Sequence, residues 1–78
     1  HNMDINEIFL QLRPEADIDN SSNLIEDYSL DSFDLIILME EISKNYNVTI
    51  GYEEFNMENF LTKESILDMI ERSKKIDF

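Results

Sequence analysis

Asp31-Ser32-Phe33-Asp34-Leu35-Ile36-Ile37-Leu38-Met39-Glu40-Glu41-Ile42-Ser43-Lys44-Asn45-Tyr46 is the stretch on which the fold turns. Leu35, Leu38, Met39, Ile42 and Tyr46 recur at helical spacing, and on a wheel advancing about 100° per residue they fall in one sector. The segment is therefore expected to be an amphipathic helix from about Ser32 to Tyr46, with those five side chains on its core face. Asp31 is a good N-cap, and Asp34, three positions on, is an acidic capping-box partner. Asn45 and Asn47 suit the exit. Ser32 then stands in the first turn, its hydroxyl exposed at the positive end of the helix dipole and ringed by carboxylates.

The same wheel puts Phe33 and Ile37 opposite the core face, Ile36 on a flank and Glu40 on the exposed side. Isolated apolar residues on a surface need no explanation. A cluster beside an exposed serine, rimmed by Asp31, Asp34, Glu40 and Glu41, has the make-up of a docking surface. The competing reading packs these residues under the preceding loop, and it applies most to Ile36. A serine in a first turn often does nothing beyond capping, so spacing alone does not assign Ser32 a chemical role.

Outward from that helix, Ile5, Ile8, Phe9 and Leu12 form a second amphipathic helix, expected to end near Arg13-Pro14 because the residue before a proline avoids the helical region. Residues 15–30 read as a long irregular segment dominated by Asp, Asn and Ser, which compete with the backbone for hydrogen bonds. Ile18, Leu24 and Ile25 are expected to tuck inward from it. A loop of this length is uncommon in a compact domain and is usually functional. Val48-x-Ile50 alternates and should lie extended, and Gly51 marks a turn. Residues 53–60 leave room for one short turn anchored by Phe55 and Phe60. Thr62 then caps a last helix with Ile66, Leu67 and Ile70 as its buried stripe. Three substantial helices and one short one, with a long first loop, make a small all-α four-helix bundle.

Seventy-eight residues make one small domain with a modest core. His1-Asn2, ahead of Met3, has the look of a cloning remnant and is set aside. No cysteine is present, so neither a disulfide framework nor a thiolate metal site is possible. No apolar run approaches the roughly 20 residues of a membrane span, and no signal peptide opens the chain, so membrane insertion is not expected and a reducing cytoplasm is the default compartment. The net charge is −12. Residues 14–43 hold nine acidic side chains and no Lys or Arg, while four of the six basic residues fall at Lys63 or later. Nucleic acid is a poor partner for such a surface, which suits basic proteins instead.

The chain resembles the acyl carrier proteins, carriers with a phosphopantetheine attachment site, over nearly all its length after Met3. Those proteins place an Asp-Ser pair and then a hydrophobic residue at the start of their second helix, as in Asp31-Ser32-Phe33 here. The Glu40-Glu41 pair, the Val48-x-Ile50 step and the Thr62 helix start also fall where carriers have them. The resemblance implies a four-helix acyl-carrier-like bundle forming a single carrier domain over residues 3–78. It also implies a 4′-phosphopantetheine arm, drawn from coenzyme A, on the Ser32 hydroxyl. A phosphodiester is favoured at a helix N-terminus, and a separate phosphopantetheinyl transferase supplies the metal and base for attachment, so no histidine near Ser32 is required. By position, Asp31 orients the transferase and caps the helix. Phe33, Asp34, Ile36 and Ile37 meet partner enzymes, with Glu40 and Glu41 offering charge steering. The arm's thiol holds acyl or aminoacyl cargo as a thioester, loaded by a ligase and passed to a downstream acyltransferase or synthase. The domain itself is a non-catalytic, stand-alone carrier, expected to be monomeric because no second large apolar face remains.

Two departures bear on subtype. Ser29-Leu30 replaces the small Gly-Ala-like residues that precede Asp-Ser in fatty-acid carriers. Leu30-Asp31-Ser32, together with Glu54-Phe55-Asn56, Phe60 and Thr62, resembles the pattern of D-alanyl carriers of Gram-positive envelopes. Ile37 is apolar where many carriers are polar. A specialised acyl or aminoacyl pathway is therefore expected ahead of primary fatty acid synthesis, with the D-alanyl carrier of teichoic acid modification as the alternative. Other classes fit less well. Asp17-x-Asp19-x-Ser21-x-Asn23 opens like an EF-hand loop but has Ser22 where glycine belongs and Tyr28 where the closing glutamate belongs, so no metal site is expected. Glu40 and Glu41 are adjacent and diverge on a helix, so they make no acid/base pair and no catalytic residue is assigned. An acidic helical interaction domain without a cofactor remains the second alternative.

Overall fold

A computed structural model of the chain describes residues 2–75. Its helices are α1 (Ile5–Leu12), a short α2 (Leu24–Asp27), α3 (Ser32–Tyr46) and α4 (Lys63–Lys75), with single 3₁₀ turns at Ile18–Asn20, Tyr52–Glu54 and Met57–Phe60. The all-α four-helix bundle is as expected, and among the described residues there is no strand.

Each long helix starts where its cap dictates. The Glu7 amide donates to Asp4 Oδ1 at 2.9 Å and the Asp4 amide donates to Glu7 Oε1 at 3.0 Å, a reciprocal capping box that begins α1. The chain leaves α1 at Arg13, extended ahead of Pro14, with the Arg13 amide still donating to the Phe9 carbonyl at 2.8 Å. At the end of α3, Asn47 takes the left-handed conformation (φ 55°) and the Val48 amide reaches back to the Ser43 carbonyl at 3.1 Å, closing the last turn. Thr62 Oγ1 accepts from the Ser65 amide at 3.1 Å to start α4.

Helices α1 and α3 pack against each other and run antiparallel. The α1 start meets the α3 end: the Met3 amide donates to Asn45 Oδ1 at 2.9 Å and the Ile5 amide to Tyr46 Oη at 2.8 Å. The α1 end meets the α3 start through Arg13 and Asp34. The core gathers Ile5, Ile8 and Phe9 of α1, Leu35, Leu38 and Ile42 of α3, and Ile66, Met69 and Ile70 of α4, closed by Ile18, Leu24, Leu30 and Phe60. Burying these side chains is what holds so short a chain together.

The structure departs from expectation in four places. The short helix of the bundle is α2, inside the long first loop. Asn23, a residue type that disfavours helix interiors, serves there as its cap, accepting from the Glu26 amide at 3.0 Å, while the Leu24 amide donates to the Leu61 carbonyl at 2.7 Å. The 52–60 segment makes two 3₁₀ turns and only Phe60 anchors it, since Phe55 is 36% exposed. On α4 the third buried residue is Met69 and not Leu67, which reaches the surface. On α3, Ile37 is half-buried in a cleft that it shares with Gln11 and Leu12 of α1, whereas Ile36 is 45% exposed. The neighbouring helix covers one flank of α3 only, so the two isoleucines exchange the roles that a symmetric wheel assigns them.

Candidate functional site

The start of α3 is fixed by two aspartates. The Asp34 amide donates to Asp31 Oδ1 at 2.9 Å and the Asp31 amide donates to Asp34 Oδ2 at 3.0 Å. The Leu35 amide closes the first intrahelical bond on the Asp31 carbonyl at 3.1 Å. This leaves the Ser32 and Phe33 amides without a hydrogen-bond acceptor among the described residues. The Ser32 side chain is exposed and its hydroxyl has no partner among them either. A free nucleophilic oxygen thus stands beside two free N–H groups at the positive end of a four-turn helix, an arrangement that receives an anion well.

The loop ahead of the serine is equally determined. Ser29 adopts a left-handed φ of 50°, and the Leu30 amide donates to the Ile25 carbonyl at 2.9 Å, closing α2. Leu30 is buried and pins the chain to the core one residue before the cap. Arg13 joins this loop to the helix start. Its Nε donates to the Tyr28 carbonyl at 3.0 Å, Nη1 to the Leu12 carbonyl at 3.1 Å, and Nη2 to the Ser29 carbonyl at 3.4 Å and to Asp34 Oδ2 at 2.9 Å. The Asp34 carboxyl is held below the usual aspartate range, first by the Asp31 N–H and then by the Arg13 charge, against the opposing effect of burial.

Phe33 (70% exposed) and Ile36 lie uncovered on the α3 surface, with Asp31 and Glu40 exposed around them. Glu41 is half-buried on the flank toward α1. Asp34 does not join the outer rim, because its carboxylate turns inward to Arg13 and the cap. Beyond Ile36 opens a groove of about 830 Å³ whose apolar walls are Ile36, Met39, Ile50, Tyr52 and Phe55, with Glu40 and Lys44 at its edge. The sequence does not announce this groove. Met39 is a core-stripe residue that also reaches its wall, and Ile42 and Ile66 are close-packed in the core instead of lining it. The far wall is held by a clamp: Arg72 donates to the Glu54 carboxylate at 2.8 and 3.3 Å, and Asn59 Nδ2 donates to the Glu54 carbonyl at 2.7 Å. The Arg72 contact keeps the Glu54 carboxyl below its ordinary range.

The acidic loop that begins like a calcium site has its side chains committed elsewhere. Asp19 pairs with Lys63 at 2.7 Å and accepts from Asn6, and Ser21 Oγ donates to Asp27 at 2.6 Å. No described helix is long and apolar enough to cross a membrane.

A family profile described as a phosphopantetheine attachment site matches residues 7–72. An acyl carrier protein of Buchnera aphidicola subsp. Baizongia pistaciae (strain Bp) is 36% identical over 58 residues, covering 74% of this chain and 72% of that protein. No solved structure matches the chain.

Proposed function

The chain belongs to the phosphopantetheine-attachment family of carrier domains, and on that premise we propose that Ser32 bears the arm and that the domain shuttles acyl or aminoacyl groups between enzymes of a specialised pathway. Members of this family are non-catalytic carriers with a covalent 4′-phosphopantetheine, whose terminal thiol holds the cargo as a thioester. The observation that supports Ser32 as the attachment point is its exposed hydroxyl, unpartnered among the described residues, at a capped helix start beside two N–H groups that likewise have no acceptor among them. The arm's phosphodiester anion suits those donors, so the residues present fit the group.

Partner recognition falls to the surface next to the serine. Phe33 and Ile36 supply apolar contact, Ile37 a half-covered flank, and Asp31, Glu40 and Glu41 the negative charge that steers basic partner surfaces. A phosphopantetheinyl transferase, a loading ligase and a downstream acyltransferase or synthase are the partners this chemistry requires. The apolar groove beyond Ile36 and the apolar Ile37 support a dedicated acyl or aminoacyl cargo ahead of primary fatty acid synthesis. A D-alanyl carrier is the second reading, favoured by Leu30-Asp31-Ser32 and by the Glu54-Phe55-Asn56, Phe60 and Thr62 pattern.

The test is intact mass after incubation with coenzyme A, magnesium and a broad-specificity phosphopantetheinyl transferase, with Ser32→Ala in parallel. One phosphopantetheine added to the parent and none to the variant is the expected result. Addition to both, or to neither, removes Ser32 from the role. Neither would leave an acidic helical interaction domain as the leading account.

A further inference from the structure

The unassigned feature nearest the serine is Arg13. It is the only Lys or Arg before Lys44. It sits at the end of α1, and its side chain is three-quarters covered. Its planar fork reaches three backbone carbonyls and one carboxylate: the Leu12, Tyr28 and Ser29 carbonyls and Asp34 Oδ2. Asp34 is the residue whose carboxylate receives the Asp31 amide, so Arg13 grips both sides of the Leu30-Asp31-Ser32 joint. One side is the left-handed Ser29, a conformation that a serine holds only under constraint. The other is the cap that sets the first turn of α3.

We propose that Arg13 is a positioning residue for attachment of the arm, holding the loop before Ser32 in register with the helix that begins at Ser32. The inference rests on the assignment of Ser32 as the attachment point. Arg13 acts through geometry. Its guanidinium is spent on the carbonyls and on Asp34, and it touches neither the serine hydroxyl nor the reacting atoms. Its removal frees the Tyr28 and Ser29 carbonyls and leaves the Asp34 carboxylate without its cation. The joint then samples more arrangements, and the fraction ready for the transferase falls. A reduced competent fraction weakens apparent binding without altering the chemical step. Lysine does not substitute for the fork, because one ammonium on a flexible stem does not span two carbonyls and a carboxylate in fixed geometry.

The test is steady-state kinetics of phosphopantetheinyl transfer from coenzyme A to the parent, Arg13→Met and Arg13→Lys, below the melting transition of each. Amide hydrogen exchange of the unmodified proteins is measured in parallel. For Arg13→Met, KM for the carrier is expected to rise about fivefold with kcat within twofold of the parent, and Arg13→Lys is expected to keep most of that rise. A purely structural role moves neither constant while the chain stays folded. Exchange at Leu30 and Asp31 is expected to quicken about tenfold relative to the core amides of Phe9 and Ile42. An unchanged KM, a fall in kcat alone, or full rescue by lysine overturns the proposal. If the transferase does not modify the parent, the Ser32 assignment fails. The exchange ratio then decides whether Arg13 holds this joint, and an unchanged ratio overturns that as well.

Discussion

The Arg13 guanidinium meets the Asp34 carboxylate at 2.9 Å across the junction of α1 and α3. The same carboxylate closes the capping box of α3 on the Asp31 amide. One aspartate thus caps α3 and ties its start to the end of α1. The pair is partly covered, with 25% and 15% of the two side chains exposed, so it is less screened than a free surface ion pair.

Asp34 therefore titrates below the ordinary aspartate range, held there first by the Asp31 N–H and then by Arg13. A folded-state pKa depressed below the unfolded value means that the stabilisation is complete above the unfolded pKa. It is lost as pH falls through the folded one. Stability attributable to Asp34 is thus intact at neutral pH and is lost as pH falls below the ordinary aspartate range. Carbon-detected NMR titration of the side-chain carboxyls is expected to find Asp34 below its ordinary value in the parent and shifted upward in Arg13→Met. An Asp34 value that does not move in the variant would show that Arg13 contributes nothing to it.

The two phenylalanines of the 52–60 segment separate sharply. Phe60 is fully buried and Phe55 is a groove wall. Phe60→Ala opens a core cavity and is expected to cost about 3–5 kcal/mol. That is most of what a domain of this size has, roughly 3–5 kcal/mol. Phe55→Ala is expected to cost only about 1–2 kcal/mol, since its ring is already partly in water. Urea titrations followed by circular dichroism compare them directly, and equal midpoints would contradict the burial of Phe60.

How far the sequence carried depended on whether a feature was local. The start of α3 was legible to the residue, because Asp31 and Asp34 write a capping box that needs no tertiary help. The exposure of Phe33 followed from the same periodicity. Ile36 and Ile37 were misplaced relative to each other because α1 covers one flank of α3, which no wheel of α3 alone contains. Leu67 and Met69 on α4 show the same limit, with the packed neighbours choosing the stripe. The groove was illegible because one wall comes from α3 and the other from residues 49–55, and the latter is held in place by the Glu54–Arg72 clamp to α4, a pairing 18 residues apart. Arg13 was visible only as the residue before a proline. Its four acceptors come together in the fold alone.

Ser29 holds a left-handed backbone without being glycine, and it does so at the C-terminal end of α2, where glycine is the usual solution. A β-carbon in that conformation costs about 1–2 kcal/mol, partly offset by the greater unfolded-state freedom of glycine. Ser29→Gly is therefore expected to raise stability by about 0.5–1 kcal/mol. The Ser29 side chain makes no hydrogen bond among the described residues that would be lost. Thermal unfolding of the variant gives the answer, and a lower melting temperature than the parent would sink the argument.

The last expectation concerns salt. A net charge of −12 on 78 residues loads the folded state with self-repulsion, concentrated where residues 14–43 carry nine acidic side chains and no basic one. Folding brings those carboxylates closer than they stand in the unfolded chain, so screening them favours the folded form. Salt also weakens the attractive pairs Lys63–Asp19, Arg72–Glu54 and Lys74–Glu71, but exposed pairs contribute little each. The more covered Arg13–Asp34 pair is the least affected. Repulsion outweighs attraction in this balance, because acidic residues outnumber basic ones 18 to 6. Raising sodium chloride shortens the Debye length from about 30 Å at 0.01 M to about 10 Å at 0.1 M. The melting temperature is expected to climb by several degrees over that range, about 4–8 °C for each kcal/mol of relieved repulsion. A melting temperature that is flat or falls would mean that the salt-sensitive pairs Lys63–Asp19, Arg72–Glu54 and Lys74–Glu71 outweigh the acidic excess in holding the fold.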